Sequence, residues 1–149
     1  MRLVVQRVKN ATVQVDNQTV GAINKGLLVF LGVGKLDNQE DLDWLVKKLL
    51  SMRVFADENG KMNKSVLETN GSVLLVSQFT LHASTKKGNR PSFLAAADPA
   101  LAKDYYQKFG ELIKASKIHL QTGVFGADMQ IELVNDGPVT MCLDSKNKE

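Results

Sequence analysis

The stretch Gly26-Leu27-Leu28-Val29-Phe30-Leu31-Gly32-Val33 decides the fold class. A strand that shows one face to water alternates apolar with polar residues, and this run does not alternate. It therefore reads as a strand covered on both faces, so layers must pack on each side of it. Working downstream, the period changes at Asp37. Asp37 with Glu40 forms a start resembling a capping box, and Leu42, Leu45, Val46, Leu49 and Leu50 then recur at helical spacing. Working upstream, Arg2 to Val8 alternates, and Thr12 to Val15 repeats the pattern before a turn at Asp16-Asn17. These two segments are expected as strands of a hairpin, with Gln18 to Ile23 as a third strand.

Beyond the first helix, Asp57 to Gly60 is a turn, and Ser72 to Thr80 reads as a strand built on Val73-Leu74-Leu75-Val76. Lys86-Lys87-Gly88-Asn89-Arg90-Pro91 is a basic, flexible loop. Asp98 then caps a second helix with Pro99 at its first position, and Ala102, Tyr105, Tyr106, Phe109, Leu112 and Ile113 line one side of it. Ile118 to Leu120 and Met129 to Val134 are expected strands. Gly137-Pro138 separates the latter from a last strand, Val139 to Leu143, and Ser145 to Glu149 is expected to fray. The sum is one α+β domain over residues 1–149: a mixed or antiparallel sheet, or an open barrel, with two main helices packed on it.

Composition bounds the function. The 149 residues carry 19 basic and 16 acidic side chains, a net charge of +3 that favours a polyanionic partner without requiring one. Cys142 is the single cysteine, so no internal disulfide forms and a reducing, cytoplasmic setting is expected. Met1 to Val8 lacks the apolar core of a secretory signal, and no run of about 18 apolar residues suggests a membrane span.

The local motifs argue mostly by exclusion. Gly32-Val33-Gly34-Lys35 is not a phosphate loop, because the leading glycine is missing and Leu36 stands where Ser or Thr is needed. His82, His119 and Cys142 lack the spacing that holds zinc, so no metal and no cofactor is expected. A histidine-driven triad of Ser77 and His82 fails on parity if the strand continues through both. Ser77-Gln78-Phe79-Thr80 places three hydrogen-bonding side chains beyond an apolar strand, either as pocket lining or as a plain strand end. Gly123 and Gly126 around Phe125 read as a loop with a packed aromatic. Gly137-Pro138 reads first as a trans turn, because cis bonds are a small minority of X-Pro bonds.

Taken together, these segments resemble the D-aminoacyl-tRNA deacylases of the bacterial and eukaryotic type. The resemblance rests on Met1-Arg2 through Val4-Val5-Gln6-Arg7-Val8, Ser77 to Leu81, Gly88 to Phe93, Gly123 to Met129, and Asn135 to Thr140, and covers essentially the whole chain. It implies hydrolysis of the ester joining a D-amino acid to the 3′ end of tRNA, in a homodimer whose sites lie at the subunit interface. It further implies that Gly137-Pro138 is cis and reaches into the partner copy's pocket beside Ser77, Gln78, Phe79 and Thr80. Arg7 would orient that dipeptide, and Phe125 would pack on the terminal adenosine. Lys86, Lys87 and Arg90 either contact tRNA phosphates or form a solvated turn.

No suitable histidine or carboxylate base stands in these motifs. The mechanism suggested by the resemblance therefore uses the main-chain N–H groups of Phe79 and Thr80 as oxyanion donors, with help from the ribose 2′-hydroxyl. Thr80 as a covalent nucleophile is the alternative, weakened by the lack of an adjacent base. A rigid Gly-Pro wedge would exclude L side chains, and glycine, which has none, would pass. Two rival functions stay open: editing of a mischarged L-aminoacyl-tRNA on the same scaffold, and a non-catalytic dimeric nucleic-acid-binding module.

Overall fold

The computed structural model describes residues 1–148. Its spine is β1, Arg2–Val15, a single strand that serves three partners. Its first half pairs antiparallel with β3, Gly26–Gly32, from Arg2 opposite Gly32 to Val8 opposite Gly26. Its second half pairs with β2, Gln18–Ile23, through the turn at Asp16 and Asn17. Both turn residues have positive φ, 50° and 61°, the left-handed geometry that suits a tight hairpin between twisted strands. The two expected N-terminal strands are thus halves of one strand, and the hairpin lies between β1 and β2. Alternation slips between Val5 and Val8 because the strand deforms there without stopping: its pairing with β8 is irregular between Gln6 and Asn10.

The helix α1, Gln39–Ser51, is capped by Asn38 and not by Asp37. The Asn38 side chain accepts from the Asp41 N–H while the Asp41 carboxylate accepts from the Asn38 N–H, a reciprocal cap worth about 1 kcal/mol. Two short strands follow, β4, Phe55–Ala56, and β5, Met62–Lys64, around the expected Asp57 to Gly60 turn. Next comes β6, Ser72–Ser77, parallel to β3, with Leu31 opposite Ser77. It ends three residues earlier than expected, and a 3-10 turn, Phe79–His82, replaces the strand. The long helix α2, Pro99–Ala115, starts at Asp98, whose carboxylate accepts from the N–H groups of Ala100 and Leu101. After it, β7, Leu120–Thr122, lies parallel to β6.

The last strand, β8, Gln130–Asp144, runs antiparallel along β1. The two strands expected on either side of Gly137-Pro138 are one, with the dipeptide carried on a bulge inside it. Ser145 does not fray either. It is buried, its N–H donates to the Met1 carbonyl, and its hydroxyl accepts from the Met1 ammonium at 2.7 Å.

The apolar run of β3 is buried on both faces. Leu27, Val29 and Leu31 join the main core, where Leu42, Leu45, Leu49, Phe109 and Ile113 bring in the two helices. Leu28 packs on the other side with Val8, Ala11, Val13, Leu74 and Val76. Each such buried aliphatic side chain contributes roughly 1.5–3 kcal/mol. The result is a curved mixed sheet, open along β8, with both helices on one side. Among the described residues no helix is long and apolar enough to cross a membrane.

Candidate active site

A cleft of about 520 Å³ opens where the parallel strands end. Ser77 closes β6, and the Gln78 N–H makes a last ladder bond to the Leu31 carbonyl at 2.8 Å. Gln78 then leaves the sheet at φ −146°, ψ 79°, and the chain coils into the 3-10 turn. Ser77, Gln78 and Phe79 line the cleft. Thr80 is exposed beside it, its hydroxyl accepting from the Gln78 amide nitrogen at 2.6 Å. That contact ties the two polar side chains to each other and supplies Thr80 with no base.

The first N–H groups of a helical turn have no partner within it. Here the Gln78 side chain does not cap the turn, and among the described residues the amides of Phe79 and Thr80 find no acceptor. Two open donors at the mouth of an apolar cleft form a place where negative charge can settle. Phe79 is 57% exposed and meets Phe93 edge-on, ring centres 5.0 Å apart, so its aromatic face is available to a ligand.

The opposite wall comes from Phe125 to Met129 and Ile131, and the floor from Ala97, Pro99, Ala102 and Tyr106. Tyr106 stacks obliquely on Phe125 at 5.7 Å and donates its hydroxyl to the Leu75 carbonyl at 2.9 Å. Burial pushes the Tyr106 phenol up to about 12, against a hydrogen bond with Thr122, so it stays a neutral strut. Sequence reasoning missed this floor and also missed Asp128, Met129 and Ile131. The Asp98-Pro99 cap marked where the helix begins, but nothing in it marked the cleft. Asp128 is the one carboxylate among the cleft-lining residues.

The other site candidates stand elsewhere. Gly137-Pro138 is cis and exposed, and does not line the cleft of its own chain. Gly137 has φ +155°, and a Cβ there would lie 2.6 Å from the Val139 nitrogen, so the position requires glycine. Asn135 staples the bulge: its carbonyl oxygen accepts from the Val139 N–H at 2.8 Å and its amide donates to Thr140 at 2.9 Å. Arg7, largely buried, donates from Nε to the Asp136 carbonyl at 2.8 Å and reaches the Val54 carbonyl with its guanidinium. It thus grips the residue before the dipeptide. Lys86 and Arg90 are exposed on a loop closed by pairing of Ser84 with Ser92, and neither lines the cleft.

His82 is buried and outside the cleft lining, while His119 is exposed and bonded to Ser72 at 3.2 Å. Among the described residues no group of His, Cys, Asp and Glu is arranged to hold a metal.

The family model described as D-Tyr-tRNA(Tyr) deacylase matches residues 4–144, which span the cleft, the Arg7 grip and the bulge. The chain belongs to that deacylase family. It is 54% identical to a D-aminoacyl-tRNA deacylase of Bacteroides thetaiotaomicron, with 100% of each chain covered. It is 56% identical to one from Thermosipho africanus over 98% of each. Among solved structures, a c-Myc DNA Unwinding Element Binding Protein superposes with TM-score 0.90 at 42% identity, covering 97% of this chain and 98% of that one. A probable eukaryotic D-amino acid tRNA deacylase shares the deacylase fold at TM-score 0.82 and 17% identity, covering 95% and 97%.

Proposed function

We propose that the cleft hydrolyses the ester between a D-amino acid and the 3′-terminal adenosine of its tRNA, proofreading the handedness of the amino acid. The observation that carries the mechanism is the pair of open amides at Phe79 and Thr80 beside an apolar cleft. Attack of water on the ester carbonyl builds negative charge on oxygen, and donors already in place stabilise it without reorganisation. The ribose 2′-hydroxyl assists the water, so catalysis is shared with the RNA. Phe125, stacked on Tyr106, packs against the adenine.

The chiral filter is the Gly137-Pro138 bulge of a second copy. Pro138 follows Ile131 by seven positions on β8, roughly 23 Å of extended strand, so a chain does not bring its own dipeptide to its own cleft. In a homodimer the wedge of one chain meets the cleft of the other. Its bulk takes the space of an L side chain, and Arg7 holds it in place through Asp136. Glycyl-tRNA is then a substrate, because a gate of this kind rejects a side chain and not the lack of one. Lys86, Lys87 and Arg90 meet tRNA phosphates, which makes affinity salt-sensitive.

A deacylation assay with D-tyrosyl-, L-tyrosyl- and glycyl-tRNA tests the reading: the first and third are cleaved and the second is spared. Cleavage of the L-ester would favour L-amino-acid editing on the same scaffold. The 42% identical protein of known structure is named for binding a DNA element, and with the exposed basic loop that name motivates a second reading, a binding module without hydrolysis. Binding of nucleic acid with all three esters intact would select that one. Thr80→Ala and Ser77→Ala, made separately, keep near-normal turnover if no side-chain nucleophile acts.

A further inference from the structure

His82 ends the 3-10 turn and is its one buried residue. Its ring fills a slot made by two glycines: Cδ2 lies 3.3 Å from where a Cβ on Gly32 would stand, and Cε1 lies 3.0 Å from where one on Gly34 would stand. The ring hydrogen-bonds the Gly32 main chain, and Nε2 is buried without a partner, alone in that respect among the described side chains. An uncharged imidazole tolerates this slot. A protonated one carries a charge and a donor into a place with no acceptor.

The charged groups around the ring reinforce that asymmetry. Arg2 and the Met1 ammonium oppose a cation, and Asp37 favours one. Yet the Asp37 carboxylate is already engaged, by the Met1 ammonium at 2.6 Å and by the Gly34 N–H at 2.6 Å. Arg2 in turn holds the same turn from outside, donating to the Leu81 carbonyl and to Asp144, each at 2.8 Å.

We propose that neutral His82 is a positioning residue that wedges the 3-10 turn into the mouth of β3, aiming the Phe79 and Thr80 amides at the cleft, and that its protonation releases the turn. The proposal rests on reading those amides as oxyanion donors. Burial already holds the imidazole below its ordinary titration range, against the opposing pull of the Gly32 bond, so the wedge is seated at neutral pH.

The chain has two histidines, so His119→Gln leaves a single imidazole signal for NMR titration. His82 is expected to titrate below the ordinary histidine range, and the amide signals of Phe79 to Leu81 to shift with the same midpoint. In kinetics, His82→Gln lowers kcat for D-tyrosyl-tRNA at pH 7.5 while KM is kept. Below the His82 midpoint, wild-type kcat then falls relative to the variant by about tenfold per pH unit, the signature of one proton. Gly34→Ala, which pushes on Cε1, lowers kcat at every pH with KM kept. Turn amides that ignore the His82 titration overturn the proposal, even if His82→Gln fails to fold. Amides that follow it beside a flat kcat ratio instead sink the oxyanion reading and leave the wedge standing.

Discussion

Replacing Phe79 by proline and, separately, by alanine isolates one main-chain N–H. Alanine removes the ring and its edge contact with Phe93, a loss of about 0.5–1.5 kcal/mol, or at most about tenfold in rate. Proline removes the same ring and also the amide. The position admits it: Phe79 is the first residue of the turn, Gln78 before it lies outside the α region at φ −146°, ψ 79°, and proline is at home in a first helical position. The Phe79 N–H makes no internal bond, so its loss costs the fold nothing. Losing one oxyanion donor costs about 2.7–4 kcal/mol in the transition state, or roughly 10²- to 10³-fold in kcat. Single-turnover deacylation of D-tyrosyl-tRNA at saturating enzyme reads the ratio of the two variants directly, with urea midpoints as the control for folding. A Pro-to-Ala ratio within threefold of unity, at matched stability, refutes the oxyanion assignment.

Gly137→Ala forces a side chain onto φ +155° and within 2.7 Å of the Val139 Cγ2, which costs about 1–3 kcal/mol by urea denaturation. The displaced wedge is expected to admit L-tyrosyl-tRNA, measured as a fall in the D/L rate ratio. Tyr106→Phe removes one of two donors to the buried Leu75 carbonyl, which keeps the Gly123 N–H at 3.0 Å, and lowers stability by about 0.5–1.5 kcal/mol, with KM for tRNA changed less than about twofold. Asp41 titrates at about 2 instead of 3.8: burial acts to raise it, but hydrogen bonds from Lys146, Ser145 and the Asn38 main chain outweigh that. A lowered folded-state value means its stabilisation is full above pH 3.8 and drains away as pH falls toward 2. Asp41→Asn should therefore flatten the urea midpoint across that window, and an unchanged slope would rule out the carboxylate as its source.

The layered fold was legible because β3 and α2 state their surroundings in sequence. A strand with no polar alternation needs two covers, and Asp98-Pro99 can hardly do anything but begin a helix. What misled was punctuation. Pro138 looks like a strand end because proline cannot donate to a ladder, yet on a bulge it interrupts β8 without stopping it. The slip after Val5 in β1 has the same cause on the partner strand. Ser145 looked free because polar tails usually are, and its burial is favourable through partners distant in sequence, the Met1 ammonium and carbonyl and the Asp41 carboxylate. At the cleft, Ser77 and Gln78 could be read as polar groups beyond an apolar strand. The floor from Ala97 to Tyr106 could not, because those residues carry only the periodicity of an amphipathic helix and owe their place to how α2 docks.

The single strand β1 pairs with β3, β2 and β8. Through its bonds to β3 it abuts the strand whose end shapes the cleft, and through β8 it carries the Asn135 to Thr140 bulge. Cleft and bulge of each chain therefore hang on one hydrogen-bonded fabric, and in the proposed dimer the cleft of one copy would face the firmly held bulge of the other. Such a sorter works by fixed shape, rejecting the wrong hand at entry instead of testing it by closure. Its discrimination should then vary little with solvent viscosity, since no large motion stands between binding and choice.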